Sequence, residues 1–389
     1  MRRMAKDLQP AEQGSGWISS WLPSWCPTSL SQLKDAEDKM LKCKTVCVSP
    51  PNYHTYTSPL LSFHALPPYS LCLSPPSLSL LSAVKAPFSR QHVQISNGNY
   101  LWTLAFTSHI KPHPSLPPQP QPHPSLPPQP QPHPSSPQPS LQPRPPLVLL
   151  HGFGGGVGLW AQNLDSLCGS GAVYALDLLG FGQSSRPLFS VDPQGAEEQF
   201  LGALEEWRDR VGLEEIVLLG HNLGGYLAAA YTLTHPHRVK HLILVEPWGF
   251  PARPESLDQE KSIPVWIRAI GAVMSPFNPL AGLRLAGPLG PMLIQTIRSD
   301  FKQKYSSVFD DNTVSDYIYH LNAQTPSGET AFRNMTVPYG WAKRPMLDRI
   351  GQIQPDIPIS IIYGSRSSID SDSGYTVRKI RPDVNIIVS

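Results

Sequence analysis

Short apolar runs alternate with longer periodic stretches through the second half of the chain. The runs are bounded by glycine, proline or charged residues, as buried parallel strands are; they cover residues 147–150, 172–176, 216–219, 241–245 and 357–363. Stretches with helical periodicity lie between them, including residues 196–211 and 223–234. Strand and helix that alternate in this way predict an α/β fold with a mostly parallel, doubly wound sheet.

Two other patterns complete the predicted domain. Residues 94–107 alternate apolar and polar positions around Asn97-Gly98, which predicts a β-hairpin. From about residue 250 to 344 the sequence changes to apolar helical stretches broken by glycine and proline, which predicts an inserted helical cap. We therefore assign the α/β domain to residues 91–110 and 147–389, with the cap at about 250–344.

Two segments are expected to lie outside any core. Residues 111–146 contain a tandem decapeptide, PHPSLPPQPQ, and 17 of these 36 positions are proline, which predicts an extended, polyproline-like insertion. The alternative is that residues 111–146 serve as a ligand for a proline-recognising domain. Residues 44–90 are rich in Pro, Ser, Tyr and Leu without any period, and we interpret them as a disordered insertion.

Composition narrows the possible partners and compartments. The net charge of +2 and the lack of a long basic run argue against nucleic-acid binding. The five cysteines are odd in number and four lie in the first fifth of the chain, which favours a reducing compartment over a disulfide framework. No apolar h-region follows the basic start, and proline and serine interrupt every apolar run, so neither a secretory signal nor a transmembrane helix is expected. We expect no metal site and no resident cofactor.

Three glycine-containing loops follow predicted strands and carry the candidate chemistry. HGFGGG (151–156) follows the predicted strand at 147–150, and its small residues would let backbone N–H groups face a developing oxyanion. We assign this role to Gly152, Phe153 and Gly154 and, from the third loop, to Leu223. DLLGFGQSS (177–185) follows the next strand, and GHNLGG (220–225) follows residues 216–219 and opens a helix. The third loop is the G-x-S-x-G elbow with Asn222 in place of the nucleophile. Together the loops indicate an α/β-hydrolase fold.

The elbow lacks the chemistry of a serine hydrolase. The carboxamide of Asn222 is not a nucleophile at neutral pH, so no acyl-enzyme can form there by the triad route. Two roles for Asn222 stay open: it tolerates the strained backbone of the elbow, or it helps to bind an ester carbonyl or water. A hydrolase or transferase using Ser184 or Ser185 is a further alternative, although no motif places a histidine beside either.

The rest of a triad is only partly present. Asp370, after the strand at 357–363, stands where the acid should be, but all thirteen histidines precede it. The chain stops within the apolar run VNIIV, so we expect the final strand, the catalytic histidine and the closing helix to be absent and the fold to be incomplete at its C-terminus. A product that does not fold stably is therefore also possible. His151 and His221 lie inside the motifs and are expected to orient backbone rather than to act as a base.

Three tryptophans near the N-terminus suggest contact with lipid. Trp17, Trp21 and Trp25 recur every four residues, and indole rings favour the interface between lipid and water. Pro23 and Pro27 limit any helix there to about one turn. Ordinary core tryptophans are the alternative, but nothing before Gln94 looks able to supply a core. We interpret residues 1–43 as a Trp-rich anchor for a lipid monolayer.

These motifs resemble a known family. The segments SGWISSWLPSWCPTSLSQLKDAEDKMLKC, DLLGFGQSSRP, GHNLGGYLAAAYTLTHPHRVKHLILVEPWGFPARP and SGETAFRNMTVPYGWAKRPML resemble the abhydrolase-domain proteins of the α/β-hydrolase superfamily that serve as lipid-droplet coactivators of a triglyceride lipase. A sister protein in that subfamily is similar at the elbow but keeps serine. The two Pro-rich insertions depart from the family pattern.

The resemblance implies a function and partners. It implies a pseudo-hydrolase on the lipid-droplet surface and in the cytoplasm that binds perilipins and activates a patatin-like triglyceride lipase in trans. Arg366, in the GSRSSID loop, is our candidate for a residue facing the partner. The alternative implied by the resemblance is a lysophosphatidic acid acyltransferase that takes a coenzyme A thioester as substrate, although the family's H-x-x-x-x-D motif is missing here. Whether the chain is itself an enzyme is left open.

Overall fold

A computed structural model describes residues 28–41, 84–107, 144–169, 171–253, 280–309, 311–365, 369 and 372–389. Trp17, Trp21, Trp25, Arg366 and Asp370 lie outside these residues, so what was expected of them stays a prediction. The same holds for most of both Pro-rich insertions. Among the described residues, no helix combines the length and the apolarity needed to cross a membrane.

A mixed, mostly parallel sheet forms the centre of the molecule. In the described ranges it has eight strands in the order β1-β2-β4-β3-β5-β6-β7-β8. β1 and β2 form an antiparallel hairpin, β2 is antiparallel to β4, and all later neighbours are parallel. The strands are β1 Ser89–Gln94, β2 Tyr100–Phe106, β3 Leu147–Leu150, β4 Val173–Leu176, β5 Ile216–His221, β6 Val239–Val245, β7 Ile359–Tyr363 and β8 Asn385–Val388. The five strands and the hairpin that the sequence predicts are confirmed.

Helices cover the sheet and build the cap. In chain order the described helices are α1 Leu30–Leu41, α2 Leu164–Cys168, α3 Pro193–Val211, α4 Leu223–Thr234, α5 Ala281–Ala286, α6 Gly290–Ile297, α7 Asp300–Lys304, α8 Thr313–Asn322, α9 Gly328–Met335 and α10 Asp372–Ile380. The start of α3 shows how the sequence sets a boundary, because Asp192 accepts a hydrogen bond from Gly195 N–H at 2.8 Å and Pro193 occupies the first turn. The predicted helices at 196–211 and 223–234 are confirmed as α3 and α4. α5 to α9 lie within the predicted cap.

The core lies on both faces of the parallel strands. Side chains of β3, β5 and β6 are buried with those of α3 and α4, including Leu218, Trp207 and Tyr231. A second cluster on the other face joins Trp102 and Leu149. Burial on both faces explains why these strands appear in the sequence as continuous apolar runs. The connection between β2 and β3 joins Phe106 to Leu147, and both of these residues pair with Val173 of β4.

The structure corrects two expectations. The final strand is not absent, because the VNIIV run supplies β8, which pairs with β7 from Ser360–Asn385 to Tyr363–Val388. Disorder over 44–90 is wrong at the end of that range, where Val84 is buried and Ser89 begins β1. β8 was missed because its apolar run coincides with the last residues of the chain.

A third correction concerns the start of the chain. Residues before Gln94 do contribute to the core, since α1 buries Leu33 and Met40 in a cluster with α8. The last part of the predicted anchor segment therefore belongs to the folded domain. α1 was missed because its apolar positions are sparse among charged residues.

Candidate functional site

The three predicted loops meet at the carboxyl edge of the sheet. His151 follows β3, Asp177 follows β4 and Asn222 follows β5. Adjacent parallel strands bring these ends side by side, since β3 pairs with both β4 and β5. This edge is where α/β folds place their ligand sites.

Asn222 has the backbone of a nucleophile elbow. Its φ is 52° and its ψ is −114°, and it caps the N-terminus of α4. The turn is possible because Gly224 crosses the backbone of β3, where a Cβ atom would collide with the carbonyl oxygen of Leu150. The Asn222 N–H donates to Val245 O at 3.0 Å, and its carbonyl accepts from Gly225 N–H at 3.0 Å. These bonds hold a conformation that is unfavourable for a residue with a side chain.

The side chain of Asn222 occupies the predicted oxyanion position. Asn222 Oδ1 accepts a hydrogen bond from the backbone N–H of Phe153 at 3.3 Å. Leu223 is the first residue of α4, where the helix N-terminus favours negative charge. The carboxamide therefore uses a donor that a hydrolase offers to its substrate. Asn222 has the positive φ that the elbow backbone requires, and its role in binding an ester carbonyl or water stays a prediction.

The oxyanion-type loop is held by a cap helix. Asn322, at the end of α8, donates from Nδ2 to Gly154 O at 2.8 Å. Tyr317 Oη, earlier in the same helix, accepts from Gly158 N–H at 3.0 Å. The position of Phe153 N–H thus depends on α8, which sequence reasoning did not connect to this loop.

His151 has no free ring nitrogen. Nε2 accepts from Leu178 N–H at 2.9 Å, so the proton lies on Nδ1, which contacts Gly152 O at 2.8 Å. Burial lowers the pKa of His151 to about 4. A neutral imidazole with a hydrogen bond at each ring nitrogen orients the backbone, as expected from the sequence.

Ser184 and Ser185 are also engaged by backbone. Ser184 Oγ accepts from Trp102 N–H at 2.9 Å and donates to Asp177 O at 2.6 Å. Ser185 Oγ accepts from Tyr100 N–H at 2.9 Å. These hydrogen bonds attach the loop at 177–185 to β2. None of them joins either hydroxyl to a basic side chain.

A second histidine beside Asn222 faces a carboxylate. His221 Nε2 lies 4.0 Å from Glu246 Oε2, and its side chain is 42% exposed. Desolvation lowers the pKa of His221, and Glu246 opposes that shift. Glu246 follows β6 with φ of 44°, and its Oε1 accepts from Gly364 N–H at 3.1 Å. Sequence reasoning missed Glu246, although an acid directly after the predicted strand HLILV was a usable signal.

Aromatic rings border the loop on its apolar side. Phe153 stacks on Phe332 of α9 at 4.2 Å between centroids, and Trp248 lies 4.7 Å from Phe332. Tyr226 of α4 contacts Trp248 at 5.1 Å. Phe153 thus places an apolar ring beside the backbone N–H that donates to Asn222 Oδ1.

Two buried carboxyl groups lie beneath this edge. Asp177 accepts from Val157 N–H and Gln183 N–H, each at 2.8 Å, and burial raises its pKa to about 6. Glu37 of α1 accepts from Trp102 Nε1–H at 2.9 Å. Burial and then the charge of Asp177 raise the pKa of Glu37 to about 8. In the described part of the chain, no group of three His, Cys, Asp or Glu residues is arranged to hold a metal ion.

Comparisons with known proteins agree with this geometry. Residues 145–383 match the family described as alpha/beta hydrolase fold. The chain is 50% identical to the human protein named 1-acylglycerol-3-phosphate O-acyltransferase ABHD5 over 97% of its own length and 88% of that protein. It is 43% identical to the cattle (Lyso)-N-acylphosphatidylethanolamine lipase over 98% of its length and 90% of that protein.

Solved structures share the fold at low identity. The enol-lactonase from Burkholderia xenovorans LB400 aligns with a TM-score of 0.50 and 16% identity over 78% of this chain and 91% of that one. Naproxen esterase from Bacillus subtilis aligns with a TM-score of 0.50 and 16% identity over 79% and 85%. At this identity the likeness concerns the fold alone.

Proposed function

Because this chain belongs to the α/β-hydrolase family, we propose that it is a lipid-droplet-associated pseudo-hydrolase that activates a triglyceride lipase in trans. The observation that carries the proposal is Asn222, which keeps the elbow backbone while its carboxamide accepts from Phe153 N–H. A covalent acyl-enzyme intermediate needs a nucleophile at this position. A carboxamide can bind an ester carbonyl or an acyl chain's head but cannot attack it, so the site is suited to binding.

The site supports a lipid-like or acyl ligand. The backbone N–H of Phe153, which donates to Asn222 Oδ1, lies beside the rings of Phe332 and Trp248, so a lipid head that displaces the carboxamide would meet this donor while its acyl chain meets the rings. Bound lipid would change the contacts of a loop that α8 holds. The protein would thereby signal the presence of bound lipid to a partner protein and would not hydrolyse that lipid.

The partners follow from the family resemblance. They are a patatin-like triglyceride lipase, perilipins and the lipid-droplet monolayer, with the protein distributed between droplet and cytoplasm. Trp17, Trp21 and Trp25 are the proposed anchor, and Arg366 is the proposed partner-facing residue. Regulation of triglyceride breakdown is then the outcome of this assembly.

A reconstituted assay tests the proposal. Purified full-length chain should raise triglyceride hydrolysis by a patatin-like lipase, while it hydrolyses no triglyceride alone and stays unlabelled by a fluorophosphonate probe. A relative with serine at the elbow serves as the positive control for the probe. Stoichiometric labelling, or esterase turnover by homogeneous protein, would refute the pseudo-hydrolase assignment. Failure to stimulate the lipase would refute the coactivator assignment.

An acyltransferase is the second candidate. Relatives from human and mouse carry the name 1-acylglycerol-3-phosphate O-acyltransferase, and both are 50% identical to this chain. Incubation with labelled oleoyl-coenzyme A and 1-acylglycerol-3-phosphate measures this activity directly. Product that forms in proportion to the protein and is unchanged in Asn222→Ala would support a transferase that does not use the elbow. Absence of product would refute the acyltransferase candidate.

A further inference from the structure

His221, the last residue of β5, keeps both ring nitrogens available. Its side chain is 42% exposed, and among the described residues neither ring nitrogen makes a hydrogen bond. His151, after β3, differs because backbone groups occupy both of its nitrogens. A neutral imidazole can accept a proton at the nitrogen that carries no hydrogen. His221 therefore retains the capacity to act as a base, which the contacts of His151 remove.

Glu246 is placed to support such a base. His221 pairs with Val245 at the end of β6, and the next residue brings its carboxylate Oε2 to 4.0 Å from His221 Nε2. Two backbone groups hold Glu246, because its N–H donates to Ile362 O at 2.9 Å and its Oε1 accepts from Gly364 N–H at 3.1 Å. A carboxylate here favours the tautomer with hydrogen on Nε2 and stabilises the imidazolium that forms when Nδ1 takes up a proton.

The ring of His221 lies where the elbow meets the oxyanion-type loop. His221 Nδ1 and Asn222 Cβ lie 2.8 and 2.9 Å from the position that a Cβ atom on Gly152 would take. This close approach is possible because residue 152 is glycine. The ring of Trp160 lies edge-on to His221, with 6.5 Å between centroids. The imidazole, the side chain of Asn222 and the loop that carries the Phe153 N–H therefore meet at one point.

The carboxamide of Asn222 has an available donor at this point. Its Oδ1 accepts from Phe153 N–H, which orients the amide, and within the described ranges its Nδ2 makes no hydrogen bond. An acyl carbonyl that leaves the carboxamide in place can accept a hydrogen bond from Nδ2. A donor directed at a carbonyl oxygen stabilises the negative charge that develops there during attack. The elbow cannot supply a nucleophile, but it can polarise an electrophile.

Two cationic side chains of the cap act on the same histidine. Desolvation lowers the pKa of His221 most, Glu246 raises it, and the positive charges of Lys304 and Arg298 lower it further. One acid, Asp300, pairs with Arg298 at 2.9 Å and with Lys304 at 3.1 Å, so the group of three keeps a net positive charge. A net positive charge beside the base attracts a substrate that carries a phosphate group.

We propose that His221 is the general base, and Asn222 the carbonyl-binding donor, of a direct acyl transfer from a coenzyme A thioester to the hydroxyl group of a 1-acylglycerol-3-phosphate. The inference rests on the acyltransferase candidate above and names the residues that serve it. The acceptor oxygen attacks the thioester carbonyl while its proton passes to His221 Nδ1. Collapse of the tetrahedral intermediate breaks the C–S bond, and the departing thiolate takes this proton from the imidazolium. No acyl-enzyme forms, so no serine is required.

Steady-state transfer from oleoyl-coenzyme A to 1-acylglycerol-3-phosphate by the full-length chain tests the base. His221→Gln should lower kcat about a hundredfold with little change in KM, which is the usual size of a general-base contribution. The matched control is His237→Gln, which changes an exposed histidine shortly before β6 and should keep the parental kcat. Imidazole in the buffer should partly restore transfer by His221→Ala, a rescue that a purely structural role of the ring does not permit.

The pH dependence of kcat identifies the titrating group. Transfer should fall on the acid side as His221 becomes protonated, because only the neutral ring accepts a proton. The charged or titratable groups that act on His221 are Glu246, Lys304, Arg298 and His151. Glu246→Gln should move the acid limb to lower pH, since Glu246 raises the pKa of His221, whereas Lys304→Ala should move it to higher pH.

Asn222→Asp tests the carbonyl donor. Aspartate keeps the shape of the side chain and tolerates a positive φ, but it has no N–H group, so kcat should fall about a hundredfold. The thermal unfolding midpoint should stay close to that of the parent, which separates the loss of the donor from a loss of the fold. Parental kcat in Asn222→Asp would overturn the role given to the carboxamide.

The outcomes distinguish the inference from the function on which it rests. Parental kcat in His221→Gln, with product formed by the parent, would overturn the base and leave the acyltransferase candidate in place. A loss in His221→Gln without imidazole rescue of His221→Ala and without the pH shift in Glu246→Gln would overturn it as well. A parent that forms no product refutes the acyltransferase candidate and the base together, whereas stimulation of the lipase, measured separately, decides the coactivator function.

Discussion

Replacing Glu37 by glutamine should make the stability of the fold less sensitive to rising pH. Glu37 Oε1 accepts from Trp102 Nε1–H, whereas Oε2 has no partner at hydrogen-bonding geometry among the described residues. Burial, followed by the nearby charge of Asp177, raises the pKa of Glu37 from 4.5 to about 8. The unfolded chain exposes this carboxyl to water, so folding takes up a proton between these two pH values.

The size of the effect follows from proton linkage. Because the folded pKa is the higher one, the stabilising contribution is fully present below the unfolded pKa and is lost as the pH rises through about 8. Within that interval each pH unit lowers the free energy of unfolding by about 1.4 kcal/mol. A change from pH 6 to pH 8 therefore removes roughly 2 kcal/mol from the parent. Glutamine keeps an acceptor for Trp102 and cannot ionise, so this loss should disappear.

Urea unfolding at pH 6, 7 and 8 measures the difference. The matched control is Asp35→Asn, which neutralises an exposed acid on the same helix and should retain the slope of the parent. Glu37→Gln should unfold at the higher urea concentration at pH 8, with the gap closing toward pH 6. Equal slopes for the parent and Glu37→Gln would show that this carboxyl is ionised in the folded state, and the reasoning would be wrong.

Three further predictions concern the elbow and the core. Gly224→Ala should lower the free energy of unfolding by about 2 kcal/mol or more, because the new Cβ collides with a strand carbonyl. The control Gly282→Ala lies in a helix with open space around it and should not destabilise the fold. Thermal unfolding of the two variants measures the difference. Asn222→Ala should unfold more easily by about 1 kcal/mol than the parent, because its φ is positive, and glycine at this position should reverse the loss. Glu197→Ala should cost about 2 kcal/mol in urea unfolding, since it removes the buried carboxylate that pairs with the half-buried Arg349 at 2.8 Å. Glu198→Ala, which changes the exposed neighbour, should cost almost nothing.

Much of the fold could be predicted because its physical causes are local. Residues 216–219 are apolar throughout since β5 is covered on both faces, and the glycine of the elbow is required where α4 crosses β3. The Asn97-Gly98 turn likewise specifies its own hairpin. Each of these signals is complete within a few consecutive residues.

The missed features depend on contacts between distant segments. Glu37 looks like a surface residue of a charged helix, and only its packing against Trp102 reveals a buried carboxyl. Asn322 looks like any polar helix end until it is seen to bind Gly154 O. Glu246 becomes relevant through its distance to His221, which the order of residues along the chain does not encode.

The connection between β2 and β3 begins after Phe106 and ends before Leu147. These two residues lie on either side of Val173 in β4 and both pair with it. Two strand spacings, about 10 Å, therefore separate its ends, and they lie at the amino edge of the parallel strands. A loop whose ends are this close can be lengthened or shortened at small entropic cost. The described residues on either side of the decapeptide repeats thus lie on the side remote from Asn222. This makes the connection a natural place to excise them, or to attach a fluorophore, without disturbing the opposite edge.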